Sequence, residues 1–121
     1  MKITQAFAFE AAHYLPNVSD SHRCRRMHGH SYRVELTLEG SIHPHTVFVV
    51  DFFDLEAAFG PLLETLDHRC LNEIAGLENP TAELIAIWIW DRVRSALPQL
   101  CSVRVCETPN CWAEYEGPRS A

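Results

Sequence analysis

The feature that most constrains this chain is a change of hydrophobic period near its middle. Between residues 32 and 39, Tyr32, Val34, Leu36 and Leu38 alternate with Arg33, Glu35, Thr37 and Glu39. A period of two belongs to a strand with one face buried and one wet. Residues 2–9 carry a looser version, with Ile3, Phe7 and Phe9 on one side, and the polar stretch from Pro16 to Arg26 reads as a loop between the two strands. Past Asp51 the spacing turns helical. Leu55, Phe59, Leu62, Leu63 and Leu66 form one stripe, Asp51 or Asp54 can cap it, and Gly60-Pro61 threatens its continuity. A second helix is signalled by Asn79 as N-cap, Pro80 at the first helical position and Glu83 in the first turns. Its apolar face reads as Leu84, Ile87, Trp88 and Val93, and Pro98 stops it.

Shorter β-like pieces flank this helical half. Val47 to Val50 follows a Pro-containing turn at 43–46, and Val103 and Val105 alternate with Arg104 and Cys106. Thr108-Pro109-Asn110 is a turn leading to Trp112 and Tyr115. The order β, β, short β, α, α, β, β predicts an α+β fold in which two helices cover one face of an antiparallel sheet. The 121 residues, 47% hydrophobic and 21% charged, suit one compact domain over 1–121, and no linker, repeat or low-complexity stretch divides them.

Charge and cysteine usage narrow the function classes. A formal net charge of −6 argues against a nucleic-acid partner held by overall electrostatics. No apolar run approaches the roughly 18 to 20 residues that cross a bilayer; the longest, Leu84 to Trp90, is closed off by Glu83 and Asp91. The opening MKITQAFAFEAAH lacks the continuous apolar core of a signal peptide, so a cytoplasmic protein with no membrane partner is expected. Five cysteines, an odd number, fit free thiols in a reducing compartment better than a disulfide framework.

The sharpest local signal is Cys24-Arg25-Arg26-Met27-His28-Gly29-His30. Histidines at i and i+2 on a strand point to the same side, and Gly29 lets the backbone approach closely. His13, at the end of the first strand, would lie beside them if the two strands pair antiparallel. Three neutral imidazoles with an open fourth position describe a catalytic zinc site, whereas the plainer alternative is polar histidines hydrogen-bonded at a strand edge. His43-Pro44-His45 has the same spacing but sits in a turn, and it reads as solvent-facing, as does His22.

Asp67-His68 could form a proton-handling pair, although consecutive helical side chains diverge by about 100 degrees and an exposed helix-end His is an equal reading. Cys24 is the obvious reactive thiol, because Arg23, Arg25 and Arg26 surround it and positive charge favours the thiolate. The three arginines also offer an anion site suited to phosphate groups, or simply a solvated basic loop. Glu107 closes an apolar strand, where a carboxylate could accept two N–H donors from an aminopyrimidinone edge or merely face solvent. Cys101, Cys106 and Cys111 show no C-x-x-C pairing and read as ordinary; Trp88, Trp90 and Trp112 read as core or interface.

Taken together, Phe9-Glu10-Ala11-Ala12-His13, Cys24 with its three-residue gap to His28-Gly29-His30, Val50-Asp51-Phe52, Leu66-Asp67-His68, Leu71-Asn72, Glu78-Asn79-Pro80-Thr81-Ala82-Glu83 and Glu107-Thr108 resemble the 6-pyruvoyl-tetrahydropterin synthase family. The short gap and the run Gly76 to Thr81 resemble its bacterial branch, the 6-carboxytetrahydropterin synthases of queuosine biosynthesis. The resemblance implies zinc held by His13, His28 and His30, Cys24 as catalytic cysteine, Asp67 and His68 as acid–base pair, and Glu107 as the pterin anchor. It implies 7,8-dihydroneopterin triphosphate as substrate, with 6-carboxy-5,6,7,8-tetrahydropterin, acetaldehyde and triphosphate as products. It also implies the tunnelling fold, a four-stranded antiparallel sheet with two helices on one face, whose trimers close a β-barrel and stack as a homohexamer with sites between subunits. The rivals are a 6-pyruvoyl product or a related pterin lyase, a zinc hydrolase that needs no Cys24, and a zinc-stabilised binding module.

Overall fold

The computed structural model describes residues 1–119. Its frame is the antiparallel pair β1 (Lys2–His13) and β2 (His28–Glu39), in register from Lys2 opposite Glu39 to His13 opposite His28. Alternation sorts the two strands by face. Phe9, Ala11 and His13 are buried on the side that also buries Tyr32, Val34, Leu36 and Leu38. Residues 16–26 form the long connection, which ends in a single 3-10 turn, Arg23–Arg25.

The segment 47–50 is not the strand its composition predicts. His43 and Phe48 pair across a tight turn, with the Val47 N–H donating to the His43 carbonyl at 2.9 Å, and Val47 takes a φ of 64°. The local backbone bonds are satisfied within the loop, which joins no sheet. Helix α1 (Phe52–Leu66) follows, capped by the Asp51 carboxylate accepting from Phe53 N–H at 2.9 Å. Pro61 lies inside it without ending it. The carbonyl that Pro61 leaves without a donor belongs to Ala57, and both residues are on the exposed side, where water can serve.

After α1 the chain adds a strand that nothing in the sequence announced. β3 (Arg69–Cys70) pairs parallel with β1, Arg69 opposite Ala11 and Cys70 opposite Ala12. Helix α2 spans Ala82–Val93, and its N-cap is Thr81, whose hydroxyl accepts from Leu84 N–H at 3.1 Å. The expected cap at Asn79 is therefore two residues early, and the helix also stops before Pro98, running into a turn after Val93. Its buried face includes Ile85, Trp88, Ile89 and Val93, while Ile87 is exposed. Strands β4 (Leu100–Thr108) and β5 (Cys111–Tyr115) complete a sheet of order β3-β1-β2-β4-β5. The expected four strands are thus five, because four antiparallel strands gain a two-residue parallel edge. Leu55, Phe59 and Leu66 of α1 and Ile85, Ile89 and Val93 of α2 share one core with Val34, Leu36, Val103 and Val105, so both helices cover the same face. Among the described residues no helix is long and apolar enough to cross a membrane.

Candidate metal centre and active site

The strand register assembles the histidines. His13 faces His28 directly, and His30 faces Ala11 one pleat along, so all three imidazoles meet on the helix-covered face at the end of the β1–β2 pair. Ring centroids are 4.6, 5.1 and 5.0 Å apart, and one nitrogen from each ring lies within 4.8 Å of the others. His13 is 1% exposed. Burial is the main force pushing its pKa down, aided by the neighbouring histidines and opposed by its backbone hydrogen bond, so the ring is held neutral.

Two backbone carbonyls decide which nitrogens face inward. His13 Nδ1 lies 2.8 Å from the Pro80 carbonyl and His28 Nδ1 lies 2.7 Å from the Arg26 carbonyl. In a neutral ring the nitrogen beside a carbonyl carries the proton, and Nε2 is then the atom with the lone pair. These two Nε2 atoms sit 3.0 Å apart. Two lone pairs at that distance repel unless a cation or a proton lies between them. The spacing is close to the roughly 3.3 Å between ligands of a tetrahedral ion with bonds of about 2.0–2.1 Å, and the all-imidazole donor set suits zinc. The residues present therefore fit such an ion. The Tyr32 hydroxyl stands 3.2 Å from His13 Nδ1, and burial raises its pKa further above the ordinary phenol value, so it stays protonated. A Cβ at Gly29 would meet the Ala11 carbonyl oxygen at 3.4 Å, an ordinary contact, so the close approach expected at that glycine is not demanded within the chain.

Glu107, the last residue but one of β4, holds Oε2 3.8 Å from His30 Nε2. It also lines a recess of about 240 Å³ shared with Glu83, Cys111 and Trp112. The carboxylate thus joins the histidine cluster to a cavity with an aromatic wall.

Asp67 and His68 do meet, because the helix has ended. Asp67 is the C-cap of α1, and His68 takes a left-handed φ of 57°, which turns its ring back so that Nδ1 lies 2.9 Å from Asp67 Oδ2. Glu10 anchors both: its N–H donates to Asp67 Oδ1 at 2.9 Å and its carbonyl accepts from His68 N–H at 2.6 Å. The Glu10 N–H and the His68 ring hold the Asp67 carboxyl below its usual range. A non-glycine residue held left-handed costs on the order of 1–3 kcal/mol, a strain that tends to collect at functional sites. The His68 side chain is 78% exposed, and it shares with His30, Glu10 and Arg69 an open groove of about 530 Å³.

Cys24 is the residue that one chain does not bring to the others. It sits half-buried on the 3-10 turn, its N–H donating to His22 Nδ1 at 3.0 Å and its carbonyl accepting from Leu15 N–H at 2.8 Å, and it lines neither cavity. His22 is thus a turn cap rather than a bystander. Of the three arginines, Arg25 is committed to the loop: Nη1 donates to the Pro16 and Val18 carbonyls at 3.0 and 2.8 Å, and Nε lies 3.3 Å from Asp20. Arg23 and Arg26 remain for an anion. His43 accepts from the His45 and Thr46 N–H groups at 3.1 and 3.2 Å, organising its turn as its context indicated. The five cysteines are free, and His13, His28 and His30 are the one group among the described residues with metal-binding proximity. Sequence reasoning missed Pro80, Arg69 and Tyr32. A carbonyl leaves no mark in a sequence, and Tyr32 reads as core until the register brings it beside His13.

The fold and the site have known counterparts. Residues 2–118 match the family model described as 6-pyruvoyl tetrahydropterin synthase. A 6-carboxy-5,6,7,8-tetrahydropterin synthase of Synechocystis is 42% identical over 97% of this chain and 94% of its own length. A dihydroneopterin monophosphate aldolase of Pyrococcus furiosus is 36% identical over 80% of this chain and 78% of its own. The solved 6-pyruvoyl tetrahydropterin synthase of Caenorhabditis elegans superposes with a TM-score of 0.90 at 27% identity, covering 98% of this chain and 96% of that one. The paired strands carrying three convergent imidazoles, and the match along nearly the whole chain, lead to one conclusion: this chain belongs to the 6-pyruvoyl tetrahydropterin synthase family.

Proposed function

We propose that the protein is a zinc-dependent lyase that converts 7,8-dihydroneopterin triphosphate and water to 6-carboxy-5,6,7,8-tetrahydropterin, acetaldehyde and triphosphate, as a step of queuosine biosynthesis in the cytoplasm. The observation that carries it is the 3.0 Å approach of His13 Nε2 to His28 Nε2, with His30 beside them. Identity to a relative named for this product supports the choice of product. Free cysteines suit a reducing compartment.

Bound at the three histidines, the ion would supply Lewis acidity toward the substrate's side-chain hydroxyls. The protein does the rest. His68 Nδ1 is engaged by Asp67, which leaves Nε2 as the atom that takes or gives a proton in the groove shared with His30. Glu107 accepts two N–H bonds from the aminopyrimidinone edge of the pterin and fixes the ring next to the metal. The Cys24 sulfur is the second proton carrier, and Arg23 and Arg26 attract the triphosphate. A homohexamer built from two trimers would bring Cys24 of one copy to the exposed Asp67–His68 pair of another, which a single chain leaves apart.

Incubating zinc-loaded protein with 7,8-dihydroneopterin triphosphate and identifying the products tests the proposal. Acetaldehyde with 6-carboxytetrahydropterin is the expected result. A 6-pyruvoyl product, or 6-hydroxymethyldihydropterin with a two-carbon aldehyde still carrying the triphosphate, as an aldolase like that named for the Pyrococcus relative would give, would replace it with a different reaction on the same scaffold.

A further inference from the structure

His13 is oriented by a carbonyl 67 residues away in sequence, and one side chain connects the two regions. Asn72, in the short 3-10 turn Leu71–Glu73, exchanges two hydrogen bonds with the backbone of Tyr14, the residue after His13. The Tyr14 N–H donates to Oδ1 at 3.0 Å, and Nδ2 donates to the Tyr14 carbonyl at 2.8 Å. The carboxamide thereby imitates a neighbouring strand where β1 has run out. The second hydrogen of Nδ2 reaches the Glu78 carbonyl at 3.3 Å, and the Cys70 thiol donates to Oδ1 at 3.8 Å. Glu78 stands two residues before Pro80, whose carbonyl accepts the hydrogen bond of His13 Nδ1.

We infer that Asn72 is a positioning residue of the metal centre: it locks the end of β1 to the segment 78–80 and so keeps the Pro80 carbonyl against His13 Nδ1. This rests on the reading of the three histidines as a metal site. The chemistry demands a carboxamide, because one acceptor must face an N–H while two donors face carbonyls. An aspartate of the same size keeps the acceptor and sets a second oxygen against two carbonyl oxygens. With the lock open, segment 78–80 drifts, and His13 loses the bond that holds its ring toward His28 and His30. Groups that hold a ligating histidine in this way typically carry 10- to 100-fold in metal affinity.

The test uses the full chain, stripped by a chelator and titrated with zinc against a chromophoric competitor, with cobalt absorption reporting the ligand geometry. Asn72→Ala and Asn72→Asp are expected to weaken zinc binding about 10- to 100-fold and to alter the cobalt spectrum. Phe59→Leu, in the core beside Phe7 and about 20 Å along β1 from His13, is the control for general destabilisation and is expected to bind zinc as wild type does. Should Asn72→Ala fail to fold, Asn72→Asp carries the comparison. Folded Asn72 variants that bind zinc as tightly as wild type, or an equal loss in Phe59→Leu, overturn the positioning role while leaving the metal site standing. A wild-type chain whose zinc binding does not depend on His13 overturns the metal reading and this inference with it.

Discussion

Replacing His28 by Ala should erase the stabilisation that zinc confers, and its size can be worked out. An ion that binds only the folded chain at a concentration of about 100 times its dissociation constant adds roughly 2.7 kcal/mol. For a chain of this length that is about 10 °C in Tm, at roughly 3–6 °C per kcal/mol. Loss of His28 removes one of three ligands and the ring that confines His13 Nε2 from 3.0 Å away. Because partners that merely orient a ligand are worth 10- to 100-fold, a ligand itself should be worth at least about 100-fold. At the same zinc concentration the variant then sits near its own dissociation constant and gains only about 0.4 kcal/mol, a shift of about 2 °C. His43→Ala is the internal comparison, since that ring only accepts two backbone N–H bonds in a turn, and its zinc-induced shift should equal the wild type's. Differential scanning fluorimetry with and without zinc reads all three proteins. A His28→Ala chain that keeps the full shift, or a His43→Ala chain that loses it, would refute the assignment.

Three further outcomes follow from the geometry. Cys24→Ala should abolish turnover while zinc affinity stays unchanged; full turnover would instead favour a hydrolase that uses the metal alone. Removing Arg23 and Arg26 together should raise KM for the triphosphate substrate, whereas Arg25→Ala, which frees the Pro16 and Val18 carbonyls, should lower kcat by loosening the Cys24 turn, as steady-state kinetics would show. The Asp67 carboxyl is held below its ordinary 3.8 in the folded chain, so the unfolded chain takes up its proton first as pH falls. Its contribution is therefore present above about pH 4 and lost as the pH drops through the lowered folded value. Urea midpoints at pH 5 and pH 3 should differ less in Asp67→Asn than in wild type.

Much of the metal centre could be read in advance because its residues share the phase of the strand. His28 and His30 continue the even-numbered series of Tyr32, Val34, Leu36 and Leu38, so the alternation that builds the core also aims the ligands. Other parts gave no such signal. β3 is two residues long, too short for any period to register. The meeting of Asp67 with His68 depends on a left-handed backbone, which a glycine or asparagine would have advertised and a histidine does not. Asn79-Pro80 and Thr81 are both credible helix starts, and the Thr81 hydroxyl's bond to Leu84 N–H marks the later one. Helix α2 is apolar nearly all round, so spacing alone does not tell that Ile87 faces outward.

The main-chain orientation of His13 and His28 has a genetic consequence. The Arg26 and Pro80 carbonyls belong to the backbone, so no exchange of side chain at either position can delete them. A scan of single substitutions would record the three histidines and pass over the groups that set their tautomers. Those groups answer to path length instead. Dropping or adding one residue between Arg26 and His28, or between Leu71 and Thr81, would move a carbonyl out of reach while leaving every ligand in place. The spacing of the motif, as much as its letters, is therefore what selection has to hold.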